Sequence, residues 1–515
     1  MPTTSQYILW GFDTDTYGWT QYDVLMNVSN RPSWGAYAEI PEHGLGFYLN
    51  GAIDTRFGGM GTLISFGGAT GLDQNSRLIS MRQVHVFDVE SAFNSTSTNS
   101  DNGWYTQTII GAAPDPRVDF CVTMVSAPDE SSFNIHMYGG WNPTTNEYYD
   151  EIWVLSIPSF KWVKGRLLAS HSWEYGALSE ALLEWYNPEF SVFGKAAFPD
   201  GGIPVLQVGD IQSLSYAKPN IRTNSTTLID GDGAAGDPAS LGVSAILIGQ
   251  TEPEYLSAAE RQATHLLDNV PRWDNGAISH RESNVELWAD FIYMVPPTLA
   301  YWAVQTNNVT LLDVAIQQCN LYHDVLGVAA NESGDNAPWN AAGLWHHIIG
   351  PPDGNNDKGI WSTGNAWAAA GMSRVLATAK NSKLEANDLL LERLVDSIKG
   401  ILDGAIALDS AEPDQPLLRN YLNDTTWFAE LAGTTLLAAT AYRVVQLEPA
   451  RFGLKYTAWA DEKREAVTTM IGSDGLLAPV VNPLNWNDRT PATKSPEAQS
   501  FAILMFSAYR DFQSS

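Results

Sequence analysis

Apolar side chains recur along this chain with two rhythms, and the change falls near Ser170. Upstream, short alternating or apolar runs such as Gly61-Thr62-Leu63-Ile64-Ser65-Phe66 and Phe133-Asn134-Ile135-His136-Met137-Tyr138 end in the diglycines Gly67-Gly68 and Gly139-Gly140. A second run follows each, over 84–88 or 150–155, and then a tryptophan, Trp104 or Trp162. A period of two bounded by glycine turns predicts β-strands. Downstream, longer apolar or amphipathic stretches predict helices over 173–183, 238–249, 253–269, 285–306, 310–326, 362–379, 389–408, 426–447, 451–471 and 495–512. Asp237-Pro238 and Ser495-Pro496-Glu497 carry a capping residue followed by proline at the first helical position. The stretch 285–306 is apolar all round and fits an inner helix, while 253–269, rich in Glu, Arg and Gln, fits an outer one. Pro296-Pro297 must kink the former or mark a restart.

The expected architecture is therefore multidomain. An all-β region spans residues 1–168, and an all-α toroid of helical hairpins spans 172–515. At 515 residues the chain exceeds one ordinary core, which agrees. Composition narrows the partners. The formal net charge of −29 repels phosphate backbones and anionic membranes, so no nucleic acid and no membrane is expected as a partner. Nineteen tryptophans, in a chain only 17% charged, suit a protein that handles neutral or sugar-like ligands. Cys121 and Cys319 fall in different regions, so no disulfide between them is expected. No metal-ligand spacing occurs, and no cofactor is expected. The first residues lack a basic start and an apolar core, yet six glycosylation sequons, at Asn27, Asn94, Asn224, Asn308, Asn331 and Asn423, lean toward an extracellular protein. An upstream leader would reconcile the two.

The candidate chemistry centres on Glu286-Leu287-Trp288-Ala289-Asp290-Phe291-Ile292-Tyr293-Met294-Val295-Pro296-Pro297. One carboxyl, Asp290, sits in a run of large apolar side chains. On a helix its neighbours three and four positions away are Glu286, Leu287, Tyr293 and Met294. Burial raises the pKa of an unpaired carboxyl, and a carboxyl that holds a proton near neutrality can act as an acid. A helix cap or a partner of a distant cation is the other reading of the same residue. Gly231-Asp232-Gly233-Ala234-Ala235-Gly236 matches a dinucleotide fingerprint by letter only, because Asp232 and Asp237 would repel a pyrophosphate and no βαβ alternation surrounds it. Asp230-Gly231-Asp232-Gly233 lacks the later ligands of a calcium loop.

Two resemblances follow from ordered motifs. Trp104-Tyr105-Thr106-Gln107-Thr108, Pro116-Arg117, Phe120-Cys121, Tyr138-Gly139-Gly140 and Leu155-Ser156-Ile157-Pro158-Ser159-Phe160-Lys161-Trp162 resemble fungal kelch-repeat proteins over roughly residues 7–165. This implies four-stranded propeller blades. Only two to three are legible, whereas closed propellers use about four to eight. The region is then a partial propeller, completed by another chain or truncated, and its protein partner stays open.

Asp237-Pro238-Ala239-Ser240-Leu241-Gly242, Gly276-Ala277-Ile278-Ser279-His280, the Asp290 segment, Gly343-Leu344-Trp345-His346-His347, Gly364-Asn365-Ala366-Trp367 and Ser495-Pro496-Glu497-Ala498-Gln499-Ser500-Phe501 occur in that order. The set resembles the six-hairpin glycosidases, the unsaturated rhamnogalacturonyl hydrolases of glycoside hydrolase family 105 and their family 88 relatives. The resemblance implies an (α/α)6 barrel and hydrolysis of Δ4,5-unsaturated uronyl oligosaccharides by protonation and hydration of the double bond. It implies Asp290 as general acid/base, with Asp237 and His280 beside it in the catalytic group; Asp230 and Asp232 compete with Asp237. Substrate-binding roles fall on Trp288, Met294, Trp345, His347 and Trp367, with His346 as an alternative to His347. Trp345, Trp361 and Trp367 read equally well as core fillers, and Glu497 reads as a structural cap. Family members carry an arginine where this chain has Thr363, with Lys358 or Arg281 as substitutes. The competing functions are a non-enzymatic carbohydrate-binding or kelch-mediated interaction protein, and a polysaccharide lyase using Tyr293 and His280.

Overall fold

The computed structural model describes residues 8–13, 18–23, 36–40, 45–49, 51–54, 62–69, 77–88, 104–109, 111–126, 133–145, 147–149, 151–157, 159–165, 169–329, 341–472 and 475–514. The chain divides into two units, Met1–Arg166 and Leu167–Ser515.

The first unit is built from antiparallel sheets. β1 (Ile8–Asp13), β2 (Gly18–Asp23), β3 (Ala36–Ile40) and β4 (Leu45–Leu49) form one in the order β2-β1-β4-β3. β5 (Gly51–Asp54), β6 (Thr62–Ser65), β7 (Gln83–Asp88) and β8 (Trp104–Thr108) form a simple meander. β9 (Val118–Ser126), β10 (Phe133–Asn142), β12 (Ile152–Ile157) and β13 (Lys161–Gly165) form another, and the short β11 (Glu147–Tyr148) pairs with the end of β10. The alternation read from the sequence is literal in β12, where Trp153, Leu155 and Ile157 are buried and the residues between them are not. Those three side chains share a core with Ile64, Val84 and Trp162. Gly140 shows why the second diglycine is needed. Its φ is +93°, and a Cβ there would stand 2.8 Å from the Val118 carbonyl oxygen.

The second unit is a closed ring of helices. Its inner members are α1 (Ser172–Tyr186), α3 (Gly242–Ile248) with the 3-10 turn Asp237–Leu241 leading into it, α5 (Phe291–Gln305), α7 (Ser362–Asn381), α9 (Leu431–Leu447) and α11 (Pro496–Gln513). Each packs on the next, and α11 packs back on α1. Outside them lie α2 (Gln212–Ala217), α4 (Pro253–Asp268), α6 (Val309–Leu326), α8 (Asp388–Ser410) and α10 (Leu454–Thr469), each against the inner helix that precedes it. Position in the ring follows apolar breadth. Nearly every residue of α5 is buried, whereas α4 buries only a stripe, from Tyr255 through Ala258, Ala259, Gln262 and Ala263 to Leu266. Among the described residues no helix is long and apolar enough to cross a membrane.

The helix expected over 285–306 begins later, at Phe291. Leu287–Trp288 is instead a two-residue strand, β14, paired with β15 (Ile348–Ile349). Glu286 and Leu287 are therefore not helical neighbours of Asp290, which occupies the position just before the first helical residue. Nor does Pro296-Pro297 restart the helix: α5 runs through both. Proline at 296 and 297 leaves the carbonyls of Ile292 and Tyr293 without their usual partners. The Tyr293 oxygen accepts from Arg374 Nη1 at 3.4 Å. At Ile292 the neighbouring helix closes in through Gly371, where a Cβ would stand 2.1 Å from the carbonyl oxygen. Arg374 is buried, pairs with Glu180 at 2.7 Å and lies over the Tyr293 ring.

Candidate active site

Asp290 ends a short backbone ladder. Leu287 pairs with Ile349, Trp288 with Ile348, and the Ala289 N–H donates to the His347 carbonyl at 3.0 Å. The ladder joins loops from successive hairpins and leaves Asp290 and His347 side by side. His347 Nε2 lies 3.6 Å from Asp290 Oδ2. The histidine is fixed from behind: its Nδ1 donates to Asp357 Oδ2 at 3.0 Å, and that oxygen also accepts from the Tyr421 hydroxyl. Asn365 clasps the approach to His347, since its side chain accepts from the Trp345 N–H at 2.8 Å and donates to the Trp345 carbonyl at 3.0 Å.

Asp237 and His280 form a second pair, with His280 Nε2 3.6 Å from Asp237 Oδ1. The loop before Asp237 places it. The Ala235 and Gly236 N–H groups donate to the His280 carbonyl, and a Cβ at Gly236 would come within 2.9 Å of the His280 ring. His280 stacks on Trp288 with centroids 4.9 Å apart, and Trp288 Nε1 donates to Glu286 Oε2 at 2.9 Å. The two pairs thus meet at the Trp288 indole, whose edge also faces His347.

Both pairs open into one cavity of about 400 Å³ including its mouth. Asp237, His280, Trp288, Asp290, Met294 and His347, six of the residues expected from the sequence, line it together. Asp230 and Asp232 do not; the former is exposed and paired with Arg222. His346 is also elsewhere, with its Nδ1 against the Lys358 carbonyl.

Trp345 and Trp367, expected as substrate platforms, are core residues. Trp345 is fully buried beside His323, and Trp367 is wedged between Tyr293 and Phe501, each 4.5 Å away, out of reach of a ligand in the cavity. Tyr293, the other residue of the lyase reading, lines a separate cavity beside Arg374 and not the one that His280 lines.

Glu497, Trp173 and Trp486 line the cavity without having been expected there, and Trp361, which read equally as sugar platform or core filler, lines it too. Glu497 was read as a cap, but Ser495 caps α11, accepting from the Ala498 N–H. Glu497 is buried, and its Oε2 accepts from Trp173 Nε1 at 2.9 Å. Trp361 packs on His347 at 4.3 Å. Trp486 presents its edge to Trp288 and His347 from a loop with no periodic pattern. Asp290 Oδ2, His347 Nε2, Glu497 Oε1 and Trp486 Nε1 are buried with no hydrogen-bond partner among the described residues, which leaves them open to a ligand.

Electrostatics sort the carboxyls. Burial raises Asp290 above the usual carboxylate range, outweighing the nearby His347. Burial, reinforced by the charge of Asp290 and opposed by Arg281, pushes Asp237 up to about 7. Burial lifts Glu497 well above its ordinary value, helped by Asp290. Burial also raises Asp357, but the hydrogen bonds from His347 and Tyr421 win and hold it low. His280 is driven down to about 3 by burial and by Arg281 and His347, so it is neutral. The arrangement places carboxyls raised toward the protonated form next to a neutral and a hydrogen-bonded imidazole, which is suited to proton transfer.

Thr363 is buried and donates to Glu430 Oε1 at 3.4 Å, within a group that caps α9. It plays no part in the cavity.

Residues 237–404 match the family model described as Glycosyl Hydrolase Family 88. Among solved structures, the chain is similar to a possible member of the GH105 family from Klebsiella pneumoniae, with TM-score 0.52 and 16% identity over 70% of this chain and 86% of that one. A possible member of the GH105 family from Salmonella enterica gives TM-score 0.51 and 18% identity over 69% and 87%. At that identity the likeness concerns the helical fold. A kelch repeat-containing protein from Arthroderma benhamiae is 33% identical over 113 residues, covering 21% of this chain and 15% of that protein. Residues 237–404 of the helical unit thus match a Glycosyl Hydrolase Family 88 domain, and the matched stretch holds Asp237, His280, Asp290 and His347.

Proposed function

We propose that the helical unit hydrolyses Δ4,5-unsaturated uronyl oligosaccharides of the kind left by elimination of pectin or rhamnogalacturonan. The observation that supports this most is Asp290: a buried carboxyl raised above its usual range, one oxygen unpaired, 3.6 Å from His347 in a tryptophan-walled cavity. The protonated Asp290 donates its proton to C4 of the double bond. Positive charge develops at C5 and on the ring oxygen. Water adds to C5, and its proton passes to the Asp290 carboxylate, which restores the acid. The hemiketal opens and the bond to the next sugar breaks. One water is consumed, and no electrons are exchanged with a partner.

The other groups support that step. Neutral His280 and the oriented His347 offer hydrogen-bonding positions for the attacking water and the sugar hydroxyls. Asp237, raised by its own burial and by the charge of Asp290, stands beside it as a second carboxyl that can hold a proton. Trp288 and Met294 form the apolar wall. The test is loss of ultraviolet absorbance at the unsaturated bond on lyase-treated rhamnogalacturonan and on glucuronyl disaccharides. Tight binding without that loss would make the protein a carbohydrate-binding protein instead.

For the first unit we infer a partial kelch-type propeller, supported by its antiparallel meanders and by the partial kelch match. We infer secretion from the sequons, of which Asn224 is exposed. A mass shift on glycosidase treatment of the natively expressed protein tests the latter.

A further inference from the structure

Among the described residues the cavity is lined by three carboxyls and by no lysine or arginine side chain. Asp237, Asp290 and Glu497 line it, and the remaining lining side chains are histidine, tryptophan, methionine and proline. The stretches of the helical unit not described, 330–340 and 473–474, contain no lysine or arginine in their sequence. Arg281 follows His280 in the chain but turns its Nη2 to the Asp232 carbonyl at 3.1 Å, outside the cavity. Lys358 is exposed and also outside it. A uronate entering this space would leave water with no lysine or arginine side chain lining its path, which is costly. It would also sit beside carboxyls whose ionisation it opposes.

An ester of the same group has the same shape and the same conjugated double bond, but no charge. Its carbonyl oxygen can accept a hydrogen bond. Trp486 Nε1 is a buried donor with no partner among the described residues, and Glu497 Oε1 is a buried carboxyl oxygen likewise unpaired among them. Burial lifts the Glu497 carboxyl well above its ordinary value, which favours the protonated, donating form.

We propose that the site takes the esterified, uncharged form of an unsaturated uronyl group in preference to the free carboxylate. This rests on the hydrolase reading above and adds the charge state of the substrate. The reaction that supplies such a substrate is β-elimination within an esterified uronan, and the ester survives the hydration step unchanged.

The test uses the full chain and two disaccharides that differ only at one group: a Δ4,5-unsaturated uronyl disaccharide as free acid and as methyl ester. Each is followed by loss of its own absorbance near neutral pH. The expected result is a kcat/KM at least ~10-fold higher for the methyl ester. Equal rates, or a faster free acid, overturn the proposal. Consumption of neither compound overturns the hydrolase reading instead. The preference is then read from binding of the same two compounds by quenching of tryptophan fluorescence, where equal or tighter binding of the free acid overturns it.

Discussion

Asp290 and His347 face each other at 3.6 Å although 57 positions separate them, because a ladder of two residues from each loop draws the loops together. Asp290→Asn keeps the shape and removes the acid. The expected outcome is a fall in kcat of at least ~1000-fold with unchanged circular dichroism. Turnover of unsaturated rhamnogalacturonan at the parent rate would remove Asp290 from the mechanism.

Asp357 acts on the reaction only through His347, which it orients by the Nδ1 hydrogen bond. Asp357→Asn should lower kcat by about 100-fold through misplacement of the ring. KM should stay within about twofold of the parent. Tyr421→Phe, which removes one of the two donors to the same oxygen, should have a smaller effect. A circular dichroism spectrum and a melting temperature equal to the parent's separate these outcomes from general loss of structure, which would also lower the apparent kcat at unchanged KM.

Asp237 carries a stability cost that depends on pH. Its ordinary value of 3.8 is raised to about 7 in the folded chain. Below 3.8 both folded and unfolded forms hold the proton, and no cost exists. Between 3.8 and about 7 the unfolded chain ionises first, so stability falls as pH rises; above about 7 the loss is complete. Asp237→Asn should therefore be no more stable than the parent at pH 4 and more stable at pH 8. The difference is up to ~4 kcal/mol. Urea melts at the two pH values check the sign.

Trp367 and Trp486 should separate core from site. Trp367→Ala should cost about 3–5 kcal/mol of stability, as expected of a buried tryptophan. Trp486→Ala should leave the melting temperature nearly unchanged and raise KM about tenfold, from loss of an aromatic face against the sugar. The reverse pattern would restore Trp367 to the substrate.

Arg374 tests the ring itself. Truncating it to alanine leaves Glu180 buried without its partner at 2.7 Å and removes the donor to the Tyr293 carbonyl. A loss of about 3–5 kcal/mol in chemical denaturation is expected.

The helices were legible because their apolar faces repeat over several turns, and α4 and α5 were even assigned to the right side of the ring. Asp290, Asp237, His280 and His347 were legible because each sits in a distinctive local motif. What escaped has physical reasons. A strand of two residues such as Leu287–Trp288 has no period to detect, so the start of α5 was placed too early. Trp345, Trp367 and Trp486 are chemically identical, and only packing separates a wedge between Tyr293 and Phe501 from a face on the cavity. Glu497 stands where a helix start favours an acidic residue, so its position alone pointed to the helix and not to the space beside it.

The ring of inner helices has a seam between α1 and α11, and the hydrogen bond from Trp173 to Glu497 crosses it at the rim of the cavity. During synthesis more than 300 residues separate the emergence of these two side chains. The ring can stack helix upon helix as the chain lengthens, but its reaction chamber has an open wall until the final helix docks on the first. Appearance of catalytic activity in a refolding experiment therefore times one event, the shutting of that seam, and should lag behind the recovery of helicity.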